Sequence, residues 1–186
     1  MLFRSIEAVI NSGKDIVVGT TGWYDKLEDV KKLVKKNNVG LLYCPNFSLG
    51  VNLFYQIINT ASHIFNKFDD YDMMISEIHH KNKVDSPSGT ALSLAQLIVQ
   101  NVKRKKEILK DTSKEKIKPE QLHVTSTRVG SVIGQHSVMF DSDADSIEIT
   151  HTAKNRRGFA LGALLAAEWI IGKKGVYTMK DVMSSL

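Results

Sequence analysis

Fifteen consecutive residues, EIHHKNKVDSPSGTA from Glu77 to Ala91, hold two adjacent histidines, two lysines, two acids and a Ser/Pro/Gly/Thr turn. Histidine titrates near neutrality, so His79 or His80 can hand a proton to a bound molecule. The turn suits a helix start, with Ser86 as N-cap and Pro87 at the first helical position. That placement leaves the backbone amides of Ser88, Gly89 and Thr90 at a positive helix end. Gly89 has no side chain to block close approach, and the hydroxyls of Ser88 and Thr90 add donors. With Lys83 nearby, the segment reads as a pocket for a small carboxylate or phosphate with a proton donor beside it. A plain helix cap is the competing reading, but gathering several cationic groups without an anion is costly, which favours a ligand. Adjacent histidines diverge on a strand, so they make a poor metal pair and no metal is expected. Asp85 reads as structural, and Glu77 as an acceptor for a histidine ring N–H.

The elements that must position this segment fall into two textures. From Ser5 to about Phe65, helices alternate with short apolar strands: a helix from Ser5 to Asn11 stopped by Gly13, the strand DIVVG, a helix from Lys26 to Lys36, the strand VGLLYC, and a helix from about Val51. Two-sided apolar strands between helices predict a parallel sheet covered on its faces. From Tyr71 onward the strands alternate with period two: DMMISEIHH, QLHVTSTRV, VIGQHSVMF and SIEITHTA, the last two joined by the acidic turn DSDAD. One long helix begins at the SPSGT turn with Leu92, Ala95, Val99 and Val102 along one face. RGFALGALLAAEWIIGKKG reads as a closing helix with Gly175 near its end.

The 186 residues are 42% hydrophobic and 24% charged, an ordinary globular composition that makes extensive disorder a poor reading. The net charge of +5 resides largely in two lysine runs, KKLVKKNN and KRKKEILKDTSKEKIK. Neither interleaves aromatics that could stack bases, so both read as solvated helix faces and no nucleic-acid partner is expected. No signal-peptide pattern and no membrane-length apolar run is present, which predicts a cytoplasmic location and no membrane partner. The single cysteine, Cys44, follows the apolar GLLY and reads as a small buried residue at a strand end.

EIHHKNKVDSPSGTA resembles the signature segment of the dihydrodipicolinate reductase family, which reduces a cyclic dicarboxylate imine with NADPH or NADH in lysine and diaminopimelate biosynthesis. The resemblance runs the length of the chain: VVGTTGW is similar to the family's cofactor loop, CPNFSLGVNLF to its crossing between domains, GQHSVMF and IEITHTAKNRRGFALGAL to later strands and the closing helix, and KKGVYTMKDVM to its tail. It implies that His79 is the general acid, that Lys83 assists proton transfer, and that His80, Ser88, Gly89 and Thr90 grip a substrate carboxylate. It also implies that Gly19, Thr20, Thr21, Cys44, Pro45, Asn46 and Phe47 touch the nicotinamide end of the cofactor. Arg156 falls near the domain junction without an assigned role. The implied fold is α/β: an incomplete Rossmann-like parallel-sheet domain, residues 1–47 and 157–186, and a central α+β domain, residues 48–156, with a mixed, largely antiparallel sheet. The central domain would bind substrate and assemble a homotetramer.

The departure from the family pattern lies at the start. The family opens with a strand, a GxxGxxG turn and a helix, whereas this chain opens in a helix and has no glycine-rich turn after a strand. The helix N-terminus that would cradle the pyrophosphate is therefore missing, and DIVVG becomes an apolar sheet edge. Weaker cofactor binding or lower solubility is the expected result. The alternative to an active reductase is an inactive, truncated remnant that serves only as an oligomerising structural module.

Overall fold

The computed structural model describes residues 2–110 and 112–185. Its elements form two compact units, Met1–Asn52 with Arg157–Leu186, and Leu53–Arg156.

The first unit opens with α1 (Leu2–Asn11), which Gly13 follows at φ +70, and continues through β1 (Ile16–Val18), α2 (Leu27–Asn37) and β2 (Gly40–Tyr43). α3 (Leu49–Phe65) starts here and runs across the boundary. In the second unit come β3 (Asp72–His79), α4 (Gly89–Asn101), β4 (Glu107–Leu109), β5 (Gln121–Arg128), β6 (Gln135–Asp141) and β7 (Ser146–Thr152). The chain then completes the first unit with α5 (Arg157–Ile170), β8 (Gly175–Tyr177) and α6 (Met179–Ser184).

In the first unit the sheet order is β1-β2-β8 and both pairings are parallel. Successive residues of the central strand point to opposite faces, so Leu41 enters one apolar cluster with Ile6, Ile10, Val30 and Val34, while Leu42 enters another with Ala166, Ile170 and Val182. Helices therefore cover both faces, which is why β2 reads as a continuous apolar run. Each fully buried leucine contributes about 2 kcal/mol. β1 stands at the sheet edge, as DIVVG suggested, and its Ile16 and Val17 are half-buried. The closing helix stops earlier than Gly175: Gly172 takes φ +76 just beyond α5, and Gly175, at φ +124, opens β8 instead. Three residues are too few for a period to register, so β8 escapes a sequence reading.

In the second unit the order is β4-β5-β3-β6-β7, a mixed sheet with parallel pairings on one side of β3 and antiparallel on the other. β6 and β7 form the expected hairpin, closed at Ser142 and Asp145. One face packs Ile75, Leu122, Val124, Val138 and Phe140 against Phe54 and Ile58 of α3 and against α4. The buried stripe of α4 is Ala91, Leu94, Ala95 and Ile98, rotated by about one position from the expected face, although Val102 just past the helix is buried as anticipated. ALSLAQLIV is apolar almost throughout, so its period alone does not fix which face turns inward.

The second lysine run is not a helix face. KRKKEILK bends from the end of α4 into β4, and Lys105 is 2% exposed. Its ammonium donates to the carbonyls of Pro119 (2.9 Å) and Gln121 (2.7 Å) and pairs with Asp72 Oδ1 at 2.5 Å. A buried lysine is tolerable when its donors are satisfied in this way. The first run does lie on α2, with Lys31 and Lys32 exposed beside Glu28 and Asp29.

Candidate active site

The inward positions of β3 are Met73, Ile75, Glu77 and His79. The alternation that buries two apolar side chains carries an acid and a histidine into the same interior. Glu77 is 1% exposed and His79 7%. His79 is the last residue of the strand, and the chain then turns, with the Lys83 amide donating to the His80 carbonyl at 3.1 Å. His80 is half-buried and lies outside the strand.

Glu77 is the hub of this interior. Its Oε1 accepts from the Ser88 amide at 3.0 Å and from Arg128 Nη2 at 2.9 Å. Its Oε2 lies 2.8 Å from His79 Nδ1 and 3.7 Å from His136 Nε2. Burial by itself would raise the carboxyl pKa, but hydrogen bonds from Ser88 and Arg128 outweigh it and hold Glu77 below the usual carboxylate range. Burial lowers the pKa of His79, Glu77 opposes that shift, and Lys83 and Arg128 add to it. His136 is pushed down to about 4, first by burial and then by His79. At neutral pH the resting site thus holds an ionised carboxylate, a guanidinium and two neutral imidazoles.

Glu77, His79 and His136 place ligand-type atoms within 4.8 Å of one another, a spacing that could suit a metal ion. Arg128 already neutralises the carboxylate, however, and a dication added there would leave excess buried charge. The trio is better suited to holding and passing protons.

The helix start differs from the expected one. Ser88, not Ser86, is the N-cap: its Oγ accepts from the Ala91 amide at 3.3 Å, and α4 begins at Gly89. Glu77 accounts for the shift, because its Oε1 takes the Ser88 amide and fixes that residue against the strand. The Ser88 hydroxyl also meets His136 Nε2 at 3.1 Å. Both polar groups of Ser88 are therefore engaged inside, while Gly89 is exposed and Thr90 half-buried. Lys83 pairs with Asp85 at 2.7 Å, and this contact lowers the Asp85 pKa.

Three residues absent from the sequence-derived set complete the site. Arg128 lies across the β3–β5 ladder from His79, and its Nη2 donates to the Asp85 carbonyl at 2.6 Å as well as to Glu77. His136 sits across β3–β6 from Glu77. Gly134 precedes β6, and a Cβ built there would lie 2.9 Å from His79 Nε2. Strand parity was the available signal. Arg128 continues the row Leu122, Val124, and His136 shares the row of Val138 and Phe140, so both ionisable residues occupy core-facing positions.

The expected cofactor residues lie in the other unit. Gly19, Thr20 and Thr21 follow β1; Cys44, Pro45, Asn46 and Phe47 follow β2. Val18 is opposite Tyr43 in the parallel ladder, and the Cys44 amide donates to the Val18 carbonyl at 3.1 Å. Both loops therefore stand at the carboxyl edge of the sheet, where open parallel α/β sheets receive ligands. Gly19, Thr20 and Thr21 are exposed, and Phe47 is buried with its ring 3.5 Å from where a Gly19 Cβ would lie. The buried Cys44 thiol donates to the Asn46 carbonyl at 3.1 Å, and burial raises its pKa, as suits a packing residue rather than a nucleophile. Small exposed residues with accessible backbone fit the flat nicotinamide end of a dinucleotide. Among the described residues, no GxxGxxG turn joins a strand of this unit to a helix that could cradle a pyrophosphate.

Residues 50–183 match the family model described as dihydrodipicolinate reductase, C-terminus. The chain belongs to the dihydrodipicolinate reductase family. It is 41% identical over 184 residues to the 4-hydroxy-tetrahydrodipicolinate reductase of Christiangramia forsetii, covering 99% of this chain and 75% of that one. With the reductase of the same name from Archaeoglobus fulgidus it shares 42% over 187 residues, covering 97% and 70%. Among solved structures, the dipicolinate-bound dihydrodipicolinate reductase from Paenisporosarcina sp. TG-14 is similar in fold, with a TM-score of 0.72 at 23% identity over 95% of this chain and 67% of that one. The reaction that gives these relatives their name is the reduction of 4-hydroxy-tetrahydrodipicolinate, in lysine and diaminopimelate biosynthesis.

Proposed function

We propose that this chain carries the substrate-binding and proton-donating half of an NAD(P)H-dependent reductase acting on a cyclic dicarboxylate imine. The observation that carries this reading is the meeting of a buried histidine, a lysine and a helix start at the carboxyl end of β3. His79 protonates the substrate as it is reduced, and Lys83 assists that transfer. Gly89, Thr90 and His80 hold a carboxylate, while Ser88 caps and anchors the helix beneath it. A dicarboxylate brings two negative charges, which would raise the pKa of His79 and load its ring with the proton to be delivered. Proton delivery then offsets the negative charge that hydride arrival creates on the conjugated imine.

Reduced nicotinamide supplies the hydride when bound. Gly19, Thr20 and Thr21, with the backbone of Cys44, Pro45, Asn46 and Phe47, are the residues of this chain proposed to meet it. A homotetramer assembled through the mixed sheet, and a cytoplasmic setting, belong to the same reading. The edge strand β7 supports the assembly, since its Ile147 is exposed at the end of the core-facing row. No described helix is long and apolar enough to cross a membrane.

The test is a spectrophotometric assay of NADPH and NADH oxidation with freshly prepared substrate. The full chain should turn over, and His79→Ala should lower kcat by about 10²- to 10⁴-fold while dipicolinate still binds. No turnover at high cofactor concentration would overturn the activity and leave an oligomerising module. A monomer by light scattering would overturn the assembly.

A further inference from the structure

Two of the groups proposed to handle the proton, His79 and Lys83, are tied to one guanidinium. Arg128 Nη2 holds Glu77 Oε1 at 2.9 Å, and the other oxygen of that carboxylate lies 2.8 Å from His79 Nδ1. The same nitrogen donates to the Asp85 carbonyl at 2.6 Å, and the Asp85 carboxylate holds the Lys83 ammonium at 2.7 Å. Nδ1 faces the Glu77 carboxylate at that ion-pair distance, and the other ring nitrogen of His79 is Nε2. That atom lies where a side chain on residue 134 would sit, 2.9 Å from the missing Cβ.

We propose that Glu77 and Arg128 are positioning residues for proton donation: the buried carboxylate orients His79 from the Nδ1 side, the guanidinium pairs with that carboxylate and ties it to the loop bearing Lys83, and Gly134 leaves the space that Nε2 occupies. The inference rests on His79 being the proton donor. It adds that the donor's readiness is set from β5 and β6, not from its own loop alone.

The charged and titratable groups around His79 act on its ring in opposite directions. Glu77 on β3 favours the imidazolium; Arg128 on β5 and Lys83 on the loop disfavour it; His136 on β6 is neutral, with His151 opposite it on β7. Removing the charge of Glu77 deletes the favourable partner and leaves Arg128 unpaired. Both changes move the His79 titration to lower pH.

The experiment follows the His79 ring by NMR across pH in the full chain without ligand, assigned against His79→Asn, beside steady-state kinetics. In Glu77→Gln the His79 midpoint should fall by on the order of one pH unit, and kcat by about 10- to 100-fold with KM changed less than about threefold. Arg128→Lys, which keeps the charge, should recover most of the midpoint relative to Arg128→Ala. Gly134→Ala should lower kcat while dipicolinate binding persists. An unchanged His79 midpoint in folded Glu77→Gln overturns the proposal. If Glu77→Gln does not fold, parental His79 ring shifts and midpoints in both Arg128→Ala and Gly134→Ala overturn it. Full turnover in His79→Ala would instead overturn the donor reading, and the midpoint shift, which needs no turnover, would still decide whether Glu77 governs the ring.

Discussion

The carboxyl ends of β1 and β3 use opposite materials. Beyond β1, Gly19, Thr20 and Thr21 present small side chains and exposed backbone, with a buried Phe47 ring behind them. Beyond β3, His79 is enclosed by the charged and titratable side chains of Glu77, Arg128, His136 and Lys83, with Glu77 within ion-pair distance of His79, Arg128 and His136. A loop of the first kind can accept a flat ligand without altering its own charge state. A cluster of the second kind can change protonation, because each member's pKa depends on its neighbours. In the proposed function, cofactor contact and proton chemistry thus fall to different units of the chain, and each can be disturbed separately.

The largest separation should come from Gly162→Ala. A Cβ on that residue of α5 would lie 1.8 Å from the Phe47 carbonyl oxygen, a backbone atom that cannot move without moving the loop after β2. The expected cost exceeds about 3 kcal/mol, read as a lower urea midpoint. His79 should titrate in the folded fraction as it does in the parent; a parental urea midpoint would show that the loop does not depend on this close approach.

The pH dependence of stability should then single out the second unit. His136 has its folded pKa near 4 against an ordinary 6.5, so the unfolded chain binds more protons between those values. Stability should fall as pH drops from 6.5 towards 4, by up to about 3 kcal/mol from this residue, with His79 and His151 adding in the same direction. Glu77, lowered when folded, adds its loss only below its ordinary 4.5. Denaturant melts of parent and His136→Gln across this range measure the effect: the slope should flatten in the variant, and equal slopes would refute the assignment.

A smaller effect, about 2 kcal/mol, is expected for Lys105→Met, which preserves volume but leaves the Pro119 and Gln121 carbonyls without their buried donor. Thermal melts alongside Lys32→Ala, expected within about 0.5 kcal/mol, would show whether the two lysine runs differ as their burial implies.

These same lysines show where the sequence was legible. α2 repeats its apolar positions with helical period, so the exposure of Lys31 and Lys32 follows from local pattern. Lys105 is buried because carbonyls from residues 119 and 121 return to meet it, and no local period records that return. At the site, EIHHKNKVDSPSGTA showed the histidines, the lysine and the turn because they are contiguous. Arg128 and His136 reach Glu77 from residues 51 and 59 positions away in the chain, through strand pairing. The helix cap moved from Ser86 to Ser88 for a related reason: a tertiary acceptor, Glu77 Oε1, claimed the Ser88 amide. Strand order and β8 likewise depend on partners that only the folded sheet brings alongside.

Cys44, the single cysteine, has its thiol buried at the end of β2 and donating to the Asn46 carbonyl. A thiol-reactive dye can reach it only when the segment from Cys44 to Phe47 lifts away. The labelling rate of the unmodified chain is therefore a clock for that opening, and any molecule that settles on the loop should slow it in proportion to its occupancy.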